Sequence, residues 1–174
     1  MQQSEIKKAI RGNNKAFQEL IQKEKNKLYR MAYLYVKNEA DALDIVQETI
    51  YKAYVSMKTI EKTEYFSTWL TRILINEALD FIRKHKRMIP TEKMEEQSTT
   101  EYNELEGSID LIEAINRLEV QYKTVVILRY YKDFTIKQIA ETLICPEGTV
   151  KTRLHRAVKK LKVDLKEGET INEK

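Results

Sequence analysis

The sequence predicts an all-α protein of two small helical domains joined by an acidic linker, the second a helix-turn-helix. Three observations carry that expectation. Of 174 residues only four are Gly and two are Pro, so the turn residues that β-hairpins need are scarce. Apolar residues, 42% of the chain, recur at helical spacing, and the 33% that are charged suit helices with broad solvated faces. Charge is also segregated. Residues 1–90 carry seventeen Lys/Arg against eleven Asp/Glu, a net of +6; residues 91–110 net −6 and residues 111–174 net +4. Two basic bodies flank an acidic connector, although the whole chain is only +4.

The first domain is expected over residues 1–90. "EIKKAI" makes a short helix that Gly12-Asn13-Asn14 breaks. A longer helix runs from about Lys15 to Val36, with Phe17, Leu20, Ile21, Leu28, Met31, Ala32 and Tyr35 largely on one stripe. A third spans about Asp41 to Met57, with Ala42, Ile45, Val46, Ile50, Ala53 and Met57 inward. A fourth spans about Tyr65 to Lys86, with Phe66, Trp69, Leu70 and Ile73 inward. Ile89-Pro90 ends it, because the residue before proline avoids the α region.

Residues 91–107 ("TEKMEEQSTTEYNELEG") are acidic and poor in bulky aliphatics, which reads as a linker. The second domain is expected over 108–168, with a polar tail over 169–174. Ser108 is a plausible N-cap for a helix carrying Leu111, Ile112, Ile115 and Leu118. "YKTVVILRYY" is a dense apolar helix. In "TIKQIAETL", Thr135 and Gln138 have capping-box spacing, and Ile136, Ile139, Ala140 and Leu143 form the inner stripe. Pro146 suits the first turn of the last helix, and fraying is expected from about Lys166.

That last helix carries the strongest signal. Val150, Leu154, Ala157 and Leu161 share one face; Gly148, Thr152, His155, Arg156 and Lys159 share the other, flanked by Lys151 and Arg153. From Lys151 to Lys162 there are six cations and no acid. A short helix, a tight turn and a basic helix make a helix-turn-helix, whose second helix enters the DNA major groove. The residue after Leu143 is Ile144, where such turns favour a residue that accepts positive φ. A β-branched side chain disfavours that region, so the turn is expected to be strained or reshaped.

Two further surfaces stand out. Trp69–Arg87 ends in Arg83, Lys84, His85, Lys86 and Arg87, with Tyr65, Phe66 and Trp69 upstream and Asn76, Asp80 and Arg83 on a polar stripe. Rings, amides and cations together suit single-stranded nucleic acid, although cations at a helix C-terminus also complement the macrodipole. In "DALDIVQETIYKAY", Asp41, Asp44, Gln47, Glu48 and Lys52 form a mostly acidic stripe that suits a protein partner with basic residues.

Together "DALDIVQETIYKAY", "FSTWLTRILINEALDFIRKHKR" and "TIKQIAETLICPEGTVKTRLHRAVKKLK" resemble a bacterial RNA polymerase sigma factor of the extracytoplasmic-function type (sigma-70 superfamily). The resemblance covers nearly the whole chain, and its D-x-x-Q-E and C-P-x-G-T-V-K-x-R elements are specific in combination. It implies a region-two-like first domain and a region-four-like, winged-helix-like second domain. Asp41, Asp44, Gln47, Glu48 and Lys52 would bind core polymerase at the β′ clamp helices. Tyr65, Phe66, Trp69, Asn76, Asp80, Arg83, Lys84, Lys86 and Arg87 would melt and hold the −10 element, Asn76 lining a base pocket. Gly148, Thr149, Lys151, Thr152, Arg153, His155, Arg156 and Lys159 would read the −35 element as duplex, and the second domain would dock on the β flap. The linker would thread a polymerase channel; extended, it spans at most ~55–60 Å, close to ~17 base pairs of duplex. An anti-sigma protein, often membrane-bound, is a further implied partner.

Two readings compete. A free-standing helix-turn-helix regulator would dimerise on a palindrome, but there is no obvious ligand-sensing domain or zipper. An enzyme would need a motif, and no metal-ligand spacing, Gly-rich phosphate loop or nucleophile signature occurs. His85 and His155 lie in basic runs, and Cys145 has no second cysteine to pair with. No catalytic residue, metal or cofactor is therefore expected. The N-terminus lacks an apolar run and no stretch approaches ~18 apolar residues, so a cytoplasmic protein without membrane insertion is expected.

Overall fold

Local capping decides where the first helices begin. The computed structural model describes residues 2–88 and 109–172, with side chains over 3–85 and 111–165. α1 (Gln2–Ile10) stops at a turn in which Gly12 takes φ +89°, a left-handed geometry that costs glycine little. Asn13 then caps α2 (Asn14–Val36): its side-chain oxygen accepts the Ala16 N–H at 2.9 Å. α2 closes with Lys37 in the left-handed region, its N–H bonded to the Tyr33 carbonyl. Asn38 repeats the capping device for α3 (Glu39–Ser56), accepting the Asp41 N–H at 3.0 Å. Two 3-10 turns, Met57–Thr59 and Thr63–Tyr65, lead into α4 (Phe66–Met88).

α2 packs against α1, α3 and α4, and α3 packs against α4. Leu20, Leu28, Met31, Ala42, Ala53, Leu70, Leu74 and Ala78 are essentially inaccessible to water; burying each leucine contributes about 1.5–3 kcal/mol. The predicted inner stripe of α2 is buried throughout. In α4 the stripe lies further round than expected. Leu70, Thr71, Leu74, Ile75 and Ala78 face inward, while Trp69 and Ile73 are half-buried, as is Ile50 on α3. Thr49 is fully buried because its hydroxyl donates to the Ile45 carbonyl at 2.7 Å.

The chain divides into two compact units after Met88. The boundary expected at residue 90, the linker over 91–107, Asp110's side chain and the Ser108 cap lie outside the described residues. The second unit begins with α5 (Ile109–Arg117) and α6 (Val120–Val126). α6 runs on as a π-helical turn, Ile127–Tyr131, a departure from the continuous α-helix expected there. Arg129 steadies the exit by donating to the Phe134 carbonyl at 3.0 Å. α7 (Ile136–Leu143) starts with the full capping box: Gln138 N–H donates to Thr135 Oγ1, and Thr135 N–H donates to Gln138 Oε1.

α8 (Glu147–Asn172) begins one residue after Pro146, whose carbonyl accepts the Thr149 and Val150 N–H groups, and it continues past the fraying point expected near Lys166. α8 rests on α5, α6 and α7. Ala114, Leu118, Tyr122, Val126, Ala157 and Leu161 form one core cluster, and Val125, Leu128, Ile139 and Val150 are inaccessible. No strand occurs among the described residues, so the helix-turn-helix has no wing there.

The turn keeps the usual left-handed cap, and Ile144 occupies it at φ 51°, ψ 53°, with its side chain 78% exposed. Its N–H and that of Cys145 both bond the Ala140 carbonyl. Of the two expected outcomes, strain is the one realised: a left-handed β-branched residue costs about 1–2 kcal/mol, and this side chain recovers little by burial. Ile144→Gly is therefore expected to stabilise the second unit by about 1 kcal/mol, raising its Tm by about 4–8 °C; calorimetry on the full chain checks this.

Candidate DNA-binding and partner-binding surfaces

Packing fixes which way α8 presents its charges. Val150 and Ala157 are wholly buried, which turns Gly148, Lys151, Thr152, His155, Arg156 and Lys159 to solvent, with Thr149 and Arg153 half-buried at the edges. A Cβ placed on Gly148 would meet nothing within 4 Å, so the fold does not require glycine there. The Thr152 hydroxyl donates to the Gly148 carbonyl at 2.9 Å, which leaves its oxygen lone pairs and methyl outward. Among the described residues no carboxylate pairs with Lys151, Arg153, Arg156 or Lys159. Four unneutralised cations, small residues between them and a rigid helix can enter a major groove and reach base edges.

Lys160, one position round, differs. It donates to Glu119 at 2.6 Å and stands 4.8 Å above the Tyr122 ring. That hydrogen bond, followed by one from Gln121, holds the Glu119 carboxyl below its ordinary value, and the same contact raises Lys160.

On the first unit, α3 exposes Asp44, Gln47, Glu48 and Lys52, with Asp41 half-exposed. Lys52 is not a free cation. It bonds Glu77 of α4 at 2.6 Å and lies 3.6 Å from Glu48. Its pKa is raised above 10.5, chiefly by the Glu77 hydrogen bond. This pair brings two predicted surfaces together: Lys52 and Asn76 both line a hollow of about 370 Å3 between α3 and α4, with Tyr51, Val55, Ile73 and Glu77. Tyr51 and Val55 are more than 60% exposed. Sequence reasoning missed both, because an apolar pair at i,i+4 reads as core.

α4 distributes its predicted residues unevenly. Tyr65 is exposed, with Lys62 Nζ 5.9 Å over its ring. Asn76 is exposed and Trp69 half-buried. Phe66, expected both on the inward stripe and among the −10 residues, is 3% exposed and packs beside Trp69, 6.1 Å between ring centroids, so the inward placement holds and it supports the surface from within. Asp80 bonds Arg83 across one turn. Lys84 is exposed, and His85 stacks on Phe81 at 3.9 Å. Lys86 and Arg87 continue the helix, their side chains outside the described set.

Among the described residues no His/Cys/Asp/Glu group could hold a metal, and no helix is long and apolar enough to cross a membrane.

Comparison with known proteins adds an independent line. The family profile Sigma-70 region 2 matches residues 20–88, and Sigma-70, region 4 matches residues 108–161. The RNA polymerase sigma factor SigV of Bacillus subtilis is 42% identical over 143 residues, 81% of this chain and 86% of the relative. The ECF RNA polymerase sigma factor SigW of the same organism is 33% identical, covering 93% and 95%. Among solved structures, the sigma factor RpoE of Bartonella quintana, in complex with the anti-sigma factor NepR, superposes with a TM-score of 0.73 at 26% identity, over 87% of this chain and 98% of that one.

The cross-helix pair is testable on its own. Lys52→Met is expected to lower the stability of the first unit by about 0.2–1 kcal/mol, since the pair is partly exposed. A lysine with a raised folded-state pKa stabilises fully below its unfolded value. The difference between the parent and Lys52→Met should therefore be complete at neutral pH and fade as pH climbs beyond 10.5, as read by denaturant melts across pH.

Proposed function

This chain belongs to the extracytoplasmic-function sigma factors, which direct RNA polymerase to promoters, and from that premise we propose how its residues divide the work. The observation that carries the division is the placement of two unlike surfaces on separate units: an acidic-amide stripe on α3 and, on α8, an exposed cationic face without an acid partner among the described residues.

Asp44, Gln47 and Glu48, with Asp41, grip a basic helical surface of core polymerase, the β′ clamp helices. Lys52 contributes by holding α3 against α4 through Glu77. The exposed amide of Asn76 meets the edge of an unstacked base of the −10 strand, in the hollow that Tyr51 and Ile73 wall. Stacking on a ring at such a site is worth about 1–3 kcal/mol per base. Tyr65 and Trp69 present ring surface nearby in sequence, and Arg83, Lys84, Lys86 and Arg87 follow the phosphates.

α8 lies in the major groove of the −35 element. Lys151, Thr152, His155 and Arg156 face base edges, while Thr149, Arg153 and Lys159 flank them and Gly148 permits close approach. The second unit also docks on the β flap, and residues 91–107 form the acidic connector. The protein performs no catalysis itself and works in the cytoplasm. An anti-sigma protein is a further partner, as NepR is of RpoE in the Bartonella quintana structure.

Transcription by core polymerase plus this chain, followed by sequencing of the transcript starts, tests the whole reading; no selected start and no binding to core would end it. Two substitutions test the division. Arg156→Ala should cost about 1–3 kcal/mol of discrimination at one −35 position and leave core binding intact. Glu48→Lys should abolish core binding in a pull-down while the weak duplex affinity of the free chain survives. Equal effects of both on core binding would refute the assignment.

A further inference from the structure

The reading helix has a neighbour that no assignment above uses. Along one flank of the first turns of α8 lies an open hollow of about 310 Å3. Thr152, Arg153 and Arg156 line it from α8, and Gln121 and Tyr122 close it from the start of α6. Gln121 is fully on the surface and about thirty residues away in sequence.

Geometry decides what such a hollow can meet. A helix with its side chains is about 10–12 Å across, and the B-DNA major groove is about 12 Å wide. A helix in the groove therefore sets its centre line on base edges and its flanks against the sugar-phosphate walls. Lys151 and His155 belong to the outward face and do not line the hollow; Gly148, Thr152 and Arg156 border both, so the hollow runs from the edge of that face toward α6.

The donors fit a phosphate. Arg153 and Arg156 have no carboxylate partner among the described residues. The Gln121 amide gives one N–H to Glu119, at 3.2 Å, and its second N–H remains available. Glu119 would repel an anion, but Lys160 sits 2.6 Å from it and balances its charge. The same lysine covers the Tyr122 ring. The hollow is left with two positive groups, an amide donor and a neutralised acid at its margin.

Resting on the assignment of α8 as the duplex reader, we propose that this hollow seats a backbone phosphate of the duplex, with Arg153 and Gln121 as its donors. A phosphate contact fixes where the helix sits along the groove and carries no base information of its own. Gln121 is then a positioning residue for the bases that α8 reads.

The test uses the full chain assembled with core polymerase on a promoter fragment, with affinity measured across a salt series and across single substitutions in the −35 element. Arg153→Gln should weaken binding about tenfold and flatten the slope of log K against log salt by about 0.9. Gln121→Ala should weaken binding a few-fold, by the same factor on every −35 variant. Gln121→Lys should tighten binding and steepen the slope, a gain that misfolding cannot mimic. The proposal is overturned if Gln121→Lys leaves affinity and slope unchanged. It is equally overturned if substitutions at Gln121 alter base preference, which would place bases in the hollow, or lower core binding, which would make it a protein contact. Failure of the parent chain to select the promoter would instead sink the assignment of α8.

Discussion

Burial of one face of α8 is the constraint on which the second unit depends. Ala157 and Leu161 close the core formed by Ala114, Leu118, Tyr122 and Val126, Val150 is buried as well, and an α-helix advances 100° per residue. Once those positions are committed, Gly148, Thr152, His155 and Arg156 have only solvent to face. The cationic surface is thus a consequence of the hydrophobic one. Rotating the helix to hide its charges would expose three core residues and bury unpaired guanidinium groups, each costing several kcal/mol. Recognition by α8 is preorganised at no cost beyond folding itself.

The first unit uses electrostatics differently. On α8 the outward cations Lys151, Arg156 and Lys159 have no acid partner among the described residues, whereas on α3 and α4 Lys52 is engaged internally, between Glu48 and Glu77. The outcome is a surface that exposes the acids Asp44 and Glu48, the latter 3.6 Å from Lys52, beside the exposed amides of Gln47 and Asn76. The pair also ties the helix that carries the acidic stripe to the helix that carries Asn76. On the proposed assignment, the partner-binding helix and the helix that presents Asn76 are thus linked by a 2.6 Å contact.

What the sequence disclosed follows from the range of the interactions. The capping box at Thr135 and Gln138, the stripe of α2 and the two faces of α8 are local, so spacing alone reveals them. Features that depend on a distant partner were hidden. The inward line of α4 falls on Leu74 and Ile75 rather than Trp69 and Ile73 because the neighbouring helices, not the periodicity, choose among adjacent apolar positions. Phe66, Trp69 and Tyr65 are adjacent aromatics, and packing grades them from buried through half-buried to exposed. The π-helical turn at Ile127–Tyr131 interrupts an apolar run with no punctuating residue. Lys52 bonds Glu77 across 25 positions of chain, and Gln121 and Arg153 line one hollow from positions 32 apart. Ile144 is the opposite case: its misfit was visible in the sequence because a single dihedral is the most local property of all.

Magnitudes explain why both units are needed. The four cations Lys151, Arg153, Arg156 and Lys159 of α8, each displacing one counterion, would give a salt slope of only about −4, against about −10 for a repressor that binds alone. A helix of this kind holds duplex weakly and releases it readily at cellular salt. On the proposed reading, a second DNA-binding unit on the same chain makes the second contact intramolecular and so raises its effective concentration. Avidity then rises by about 10²–10⁴ without a new contact. Weakness of each surface alone is the condition under which promoter choice requires the complete assembly, and a helix that bound duplex tightly by itself would occupy sites with no polymerase to follow.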